Sequence, residues 1–205
     1  MNSGEYPVAS YLEALSSKAP VPGGGGASAL VAAAGAALDS MVCNLTLGKK
    51  KYAEVEPEIA ALCREADALR QTLIVLADED AAVFEPLSQC YAIPKDDPQR
   101  EAKMQPALKA AAEVPMNILR ACCRGIELSD RLSEIGSVLA VSDAGCAAVF
   151  FWAAMYAAAL NVRINTKSMT DRCLAEALNK ECDDLMNSYW KTAEATYERV
   201  YGGLQ

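Results

Sequence analysis

The sequence predicts an all-α fold, a bundle of about six helices around a buried alanine-rich central helix. Three observations carry that expectation. Alanine is abundant, prolines fall mostly at the ends of apolar segments, and no alternating period-two apolar run flanked by Asn-Gly or Asp-Gly turns occurs. At 205 residues and 21.8 kDa the chain is expected to form one domain, residues 1–205, without repeat, low-complexity tail or second-domain linker.

The elements follow in order. A first helix is predicted from about Glu5 to Lys18, broken by Pro20-Val21-Pro22 and the run Gly23 to Gly26. A small-residue helix then spans about Ala27 to Leu47, with Gly48 placed to end it as the first residue outside the helix. A long third helix runs from about Pro57 to Tyr91, disturbed near Pro86 and stopped before Pro94. Asp97-Pro98 has the pattern of a cap followed by an N-terminal proline, opening a fourth helix that continues through Pro106 and Pro115 to Ile135 and ends at Gly136. Ser142-Asp143 reads as the cap of a fifth helix, and Thr170-Asp171 as the start of a sixth that reaches about Tyr201.

Within the fifth helix Ala144 to Val162 carries no charge, a length at which a membrane span becomes a candidate. A soluble bundle is the preferred reading. The run is mostly alanine, which drives insertion weakly, and Asp39 interrupts the similarly apolar second helix. Small residues on both helices (Ala29, Ala32, Gly35 and Ala36; Ala147, Ala148, Ala154 and Ala158) permit close backbone approach, suited to a tight centre or a subunit interface.

Composition excludes several kinds of chemistry. The chain has no histidine, so Ser-His-Asp and Cys-His nucleophile systems and His-ligated zinc sites are absent, and proton transfer falls to carboxylates, lysines, tyrosines or cysteines. The formal charge of -8 argues against nucleic acid as a partner. Eight cysteines with no Cys-x-x-Cys pair and no secretory leader read as reduced, structural thiols of a cytoplasmic protein.

One residue on the third helix breaks its amphipathic pattern. At about 100° per residue, Leu62, Ala66, Leu69, Leu73, Leu76, Val83, Phe84 and Leu87 all fall within about 60° of Asp80, while Asp78 points nearly the opposite way, toward solvent. A carboxylate on a core-facing stripe must be paired, hydrogen-bonded or protonated. The alternatives are a functional acid and a structural ion pair with Arg163 or one of Lys49 to Lys51. Gly23 to Gly26 can present backbone N–H groups to an anion or a carbonyl oxygen, though they match no nucleotide-binding fingerprint. Lys49, Lys50 and Lys51 form the one dense basic cluster, suited either to the helix dipole or to capture of a carboxylate. Asn44, Asn161 and Asn165 are candidates for hydrogen bonding to a heterocycle or for packing between helices.

Pro22-Gly23-Gly24-Gly25, Asn44 to Tyr52, Asp78-Glu79-Asp80-Ala81, Ile93-Pro94-Lys95, Ala112-Glu113-Val114-Pro115, Ser142-Asp143 and Leu160 to Asn165 occur in the order and spacing of a known family. On these motifs the chain resembles the cyclodeaminase/cyclohydrolase family over nearly its whole length. The resemblance implies a homodimeric, metal-free enzyme acting on a one-carbon adduct of tetrahydrofolate, either hydrolysing 5,10-methenyltetrahydrofolate or cyclodeaminating 5-formiminotetrahydrofolate. It implies Asp80 as the catalytic acid and base. Gly23, Gly24, Gly25, Gly26, Asn44, Asn161, Ser142 and Asp143 would form the substrate pocket, with Lys49, Lys50 and Lys51 meeting the glutamate tail. The chain departs from the family at Ser137 to Val141, aliphatic where an amide is usual, at Ala157 or Ala158, and at Gly26. The alternative is a helical dimer that binds folate or another ligand without turnover.

Overall fold

The computed structural model describes residues 7–205, so the expected start of the first helix at Glu5 lies outside the described residues. The elements are α1 (Val8–Leu15), α2 (Gly24–Thr46), a short 3-10 turn (Lys50–Tyr52), α3 (Glu56–Ala92), α4 (Gln99–Ile135), α5 (Val141–Thr166) and α6 (Arg172–Gly203). No strand occurs among the described residues. The four central helices α2 to α5 pack on one another, and α6 lies against α4 and α5. Their shared core is centred on Leu73, Leu108, Leu119, Phe151 and Met155, all fully buried.

The helix ends explain themselves unevenly from local sequence. Gly48 sits just past α2 at φ +73°, the left-handed conformation that glycine adopts without strain. The Asp171 carboxylate accepts from the Leu174 N–H and caps α6, as expected. Asp97 does the same for the Gln99 N–H at the start of α4. Ser142-Asp143, in contrast, does not cap α5: the helix starts at Val141 behind Ala140, and neither side chain makes a capping bond. Backbone turns do that work, the Ala140 N–H donating to the Ser137 carbonyl and the Asp143 N–H to that of Ala140.

Two glycines serve close packing here. A Cβ on Gly125 of α4 would lie 2.3 Å from the Phe151 ring, and one on Gly35 of α2 would meet the same ring at 3.1 Å. The large ring of α5 is therefore seated between two helices that each lack a side chain opposite it. Arg124 and Arg131 fasten α4 to α3 from the outside, holding Glu65 and Glu58 respectively through forked pairs. The equal, opposite spacing of those partners marks the two helices as antiparallel.

Proline leaves a specific trace in α4. Pro115 has no N–H, so the Ala111 carbonyl has no partner within its own helix. The buried Asn165 of α5 supplies it, its Nδ2 donating to the Ala111 oxygen at 2.7 Å. The same amide group donates to the Asn161 carbonyl at 2.9 Å.

Helices α2 and α5 are long and apolar enough to cross a membrane by length and composition, yet half or more of each apolar window is buried against the rest of the chain. Neither is enclosed on all sides. On α2 the outward residues Ala27, Val31, Ala34, Leu38, Met41 and Leu45 recur at steps of four and three, and on α5 Leu160 and Ile164 are 72% and 63% exposed. A heptad-like stripe facing outward is the pattern of a helix that packs on a further helix.

Asp39 is not a surface interruption of α2. It is fully buried and its carboxyl oxygens lie 3.0 and 3.1 Å from Ser129 Oγ, which also reaches the Gly125 carbonyl at 3.0 Å. One hydroxyl proton cannot serve all three acceptors. A protonated Asp39 donating to Ser129, with Ser129 donating to Gly125, satisfies every group, and burial accordingly pushes the Asp39 carboxyl well above the usual aspartate range. All eight thiols are free; burial raises those of Cys43 and Cys123 to about 12, which keeps them inert.

The neutral Asp39 has a pH signature. The folded state keeps a proton that the unfolded chain releases above the ordinary aspartate pKa, so this group's contribution to stability falls as pH rises from there to its raised folded value. In urea unfolding across that range, Asp39→Asn is expected to flatten the decline, its advantage over the parent growing with pH. A constant difference between the two proteins at every pH would show that Asp39 is ionised in the fold.

Candidate functional site

The glycine run begins α2 instead of preceding it, so the expected start at Ala27 is three residues late. The reason is tertiary. Glycine is a poor helix former, costing about 1 kcal/mol relative to alanine, but here the missing side chains admit Asp80 of α3. An ideal Cβ on Gly25 would stand 2.1 Å from Asp80 Oδ1 and 2.5 Å from its Cγ. The Gly26 N–H donates to Asp80 Oδ2 at 2.8 Å, using one of the four N–H groups that a helix start leaves free. The first turn closes on itself through Ser28 Oγ, which donates to the Gly25 carbonyl at 2.7 Å.

Asp80 thus sits on the apolar stripe as the wheel predicts, and it is neither of the expected ion pairs. Arg163 pairs with Asp183 on α6, and Lys49 Nζ donates to Ser137 Oγ. Burial raises the Asp80 carboxyl above its ordinary value, and the Gly26 hydrogen bond partly opposes the rise. Oδ2 is anchored on the helix start, Oδ1 lies against Gly25, and Asp80 lines the adjoining cavity. Asp78 is half-buried rather than solvated, near enough to Tyr11 of α1 for its charge to act on the phenol.

That cavity holds about 230 Å³ and is lined by Pro20, Val21, Gly23 to Gly25, Asp80, Val83, Phe84, Ala111, Asn161, Ile164 and Asn165. Phe84, Val83 and Ile164 give it an apolar side; the glycine backbone, Asp80 and the two amides give it a polar one. The Asn161 amide lies against Gly24, 3.4 Å from where a Cβ would be, and donates back to the Ala157 carbonyl. Among the described residues no group of three cysteines, aspartates or glutamates is placed to hold a metal ion.

The predicted residues divide into three sets. Asp80, Gly23, Gly24, Gly25 and Asn161 line the cavity, and Gly26 holds the Asp80 carboxylate. Asn44, Lys49, Lys50 and Lys51 lie at the far end of α2, about 30 Å away at 1.5 Å per residue. There Lys49 is engaged with the loop before α5: the Ser137 N–H donates to Thr46 Oγ1 at 2.8 Å and the Val138 N–H to the Tyr52 hydroxyl at 3.1 Å. The aliphatic Ser137 to Val141 connection is therefore fastened to the lysine segment and not to the Asp80 cavity. Lys50 and Lys51 stay exposed. Ser142 lines a separate apolar groove with Phe150, Tyr197 and Tyr201, and Asp143 lies beside it in the first turn of α5, where a negative charge suits the helix dipole. Asn165, a candidate from its residue type, joins Ala111 in the wall; Ala111 is the part that residue typing alone does not assign to the site, and the signal for it is Pro115, which strips the Ala111 carbonyl of its helical partner.

A family model described as formiminotransferase-cyclodeaminase matches residues 7–184. The chain is 41% identical over 202 residues to a methenyltetrahydrofolate cyclohydrolase of Methylorubrum extorquens, covering 97% of each. It is 28% identical over 199 residues to the formimidoyltransferase-cyclodeaminase of Mus musculus, of which it spans only 36%. Its fold is similar to the crystal structure of a formiminotetrahydrofolate cyclodeaminase from Thermotoga maritima, with TM-score 0.82 and 30% identity, covering 96% of this chain and 94% of that one.

The Gly25–Asp80 approach is testable without any ligand. Gly25→Ala is expected to destabilise the parent by about 1–3 kcal/mol, the usual cost of an overpacked site. In an Asp80→Ala background the same change meets no carboxylate and should be near neutral in chemical denaturation. Equal costs in both backgrounds would place Asp80 elsewhere.

Proposed function

Since the chain belongs to the formiminotransferase-cyclodeaminase family, a folate-dependent enzyme family of one-carbon chemistry, we propose that the Asp80 cavity is its active site and that Asp80 is the proton carrier. The observation that carries this reading is a carboxylate with one oxygen fixed on a helix start, its other oxygen hydrogen-bonded to no group among the described residues, lining a cavity that also gathers Asn161 and the glycine backbone.

The geometry suits hydrolysis of 5,10-methenyltetrahydrofolate, the reaction in the name of the 41% identical relative. Asp80 Oδ1 accepts a proton as water adds to the methenyl carbon. The same proton then goes to N5 as the bond from N5 to that carbon breaks, and the hydroxyl proton leaves to solvent as the formyl carbonyl forms on N10. For 5-formiminotetrahydrofolate the shuttle differs only in its ends: N10 adds to the carbon of the protonated, cationic formimino group, and Asp80 moves the N10 proton to the resulting amine, which departs as ammonia and leaves the methenyl cation. A carboxyl raised by burial yet anchored by an N–H takes up a proton more readily than a solvated aspartate and can still return it. The amides of Gly24 and Gly25, at the positive end of α2, face the cavity where charge changes on the reacting carbon. At about 230 Å³ the cavity is below the range of about 300 to 1,000 Å³ that encloses a drug-sized ligand, so it fits the reacting pterin end and leaves the glutamate arm outside.

The outward stripes of α2 and α5 support a homodimer in the cytoplasm, a second copy covering both. An antiparallel pairing of α2 helices about a two-fold axis would also bring Lys50 and Lys51 of the partner subunit toward the Gly24 end, closing within the dimer the 30 Å separation that a single chain leaves. In that arrangement the exposed lysines would meet the glutamate arm.

Purified protein is expected to turn over methenyltetrahydrofolate, followed by its ultraviolet absorbance, faster than formiminotetrahydrofolate. Asp80→Asn should lower kcat by about 10²- to 10⁴-fold with the helical fold intact; undiminished turnover would reject the assignment. Ala34→Glu puts a charge in the middle of the α2 stripe and should halve the mass seen by light scattering, and an unchanged mass would place the subunit contact on another face.

A further inference from the structure

Helix α1 is anchored on the bundle chiefly by one side chain, with Ser10, Ala14 and Leu15 only partly buried. Tyr11 is its single buried residue, 6% exposed, while Val8 and Leu12 on either side are 75% and 55% exposed. As an apolar anchor a phenylalanine would serve better, because the Tyr11 hydroxyl is buried and has no hydrogen-bonding partner among the described residues. An unpaired buried hydroxyl is costly and rare, and such a group calls for a reason.

Its surroundings supply one. The hydroxyl stands 3.4 Å from the point where a Cβ on Gly26 would lie, and Asp80 Oδ2 stands 3.8 Å from the same point. Both oxygens therefore overhang the Gly26 backbone, on the side of Asp80 that faces away from the cavity lining. The nearby charges act on the phenol as well: after burial itself, the neighbouring Asp80 and then Asp78 push Tyr11 above the usual tyrosine range, so it remains a neutral donor. Among the described residues, the cavity that Asp80 lines carries no other titratable side chain. The first turn of α2 brings only amides, and α4 and α5 bring Ala111, Asn161 and Asn165 to the cavity.

We propose that the Tyr11 hydroxyl is a second hydrogen-bond donor to Asp80, engaging Oδ2 whenever that carboxylate is ionised and so setting how readily Oδ1 takes and gives up its proton. Tyr11 is a positioning residue, acting through Asp80 without touching the substrate. When Asp80 is protonated its oxygens are weaker acceptors and the hydroxyl needs no bond to them; the hydroxyl seen here has no partner among the described residues. When Asp80 carries its charge, a swing of the Tyr11 side chain about its Cα–Cβ bond brings the O–H onto Oδ2 beside the Gly26 N–H. The second donor stabilises the ionised form.

The inference rests on Asp80 as the proton carrier, and its test separates the two. Tyr11→Phe keeps the anchoring ring and removes the oxygen, so thermal stability should hold or rise. In ligand-free protein carrying 13C-labelled aspartate, the carboxyl titration of Asp80, identified by its loss in Asp80→Asn, should move to higher pH in Tyr11→Phe. In turnover, kcat should fall about tenfold with KM within about twofold of the parent, the acidic limb of kcat shifting the same way. An Asp80 titration unmoved by Tyr11→Phe overturns the inference even if the parent is fully active. A parent inactive on both folates overturns the functional reading instead, while a shifted titration would still uphold the Tyr11–Asp80 contact.

Discussion

The approach of Asp80 to the first turn of α2 is the constraint on which the rest of the site depends. A carboxylate can reach a helix backbone at 2.8 Å only where no Cβ intervenes, and Gly25 is the position where one would collide with it. That contact fixes the register of α3 against α2. It also selects which of the two carboxyl oxygens is anchored and which is available. Burial and the helix start then act on the same group in opposite senses, and a proton carrier needs that balance: fully solvated, the acid would be too weak a base, and buried without a donor it would not ionise.

Much of this was legible in the residues. The helical wheel singles out Asp80 because an acid on an apolar stripe is anomalous by geometry alone, and Gly48 and Asp171 declare the ends of α2 and α6 through local rules. The start of α2 was not legible, since four consecutive glycines argue against a helix and only a partner on another helix explains them. Ser142-Asp143 misleads for the opposite reason: the dipeptide has the chemistry of a cap, but the backbone turn from Ser137 to Ala140 already satisfies the helix start. The lysine trio shows the limit of pattern reading, because sequence order does not reveal that 23 residues of straight helix separate it from the acid it was grouped with.

Two helices that are apolar on nearly every side belong together physically. Phe151 of α5 sits between Gly35 of α2 and Gly125 of α4, and the outer stripes of α2 and α5 remain hydrophobic in the single chain. A membrane and a second subunit both answer that description by composition. Asp39 fits the same picture: it faces inward, where a protonated acid can join a closed hydrogen-bond chain with Ser129 and Gly125.

The wall of the cavity opposite Asp80 is built from an absence. Pro115 removes an N–H, the Ala111 carbonyl loses its helical donor, and Asn165 of α5 fills the vacancy. The proline and the asparagine are therefore not independent letters. Losing Asn165 alone strands a buried carbonyl; restoring an N–H at position 115 alone sets two donors competing for one acceptor and loosens the amide that also steadies the Asn161 backbone. Sequence drift through this part of the molecule must alter both positions nearly together, so an historical path of single, tolerable substitutions around the pocket is narrowest on the side that carries no catalytic group.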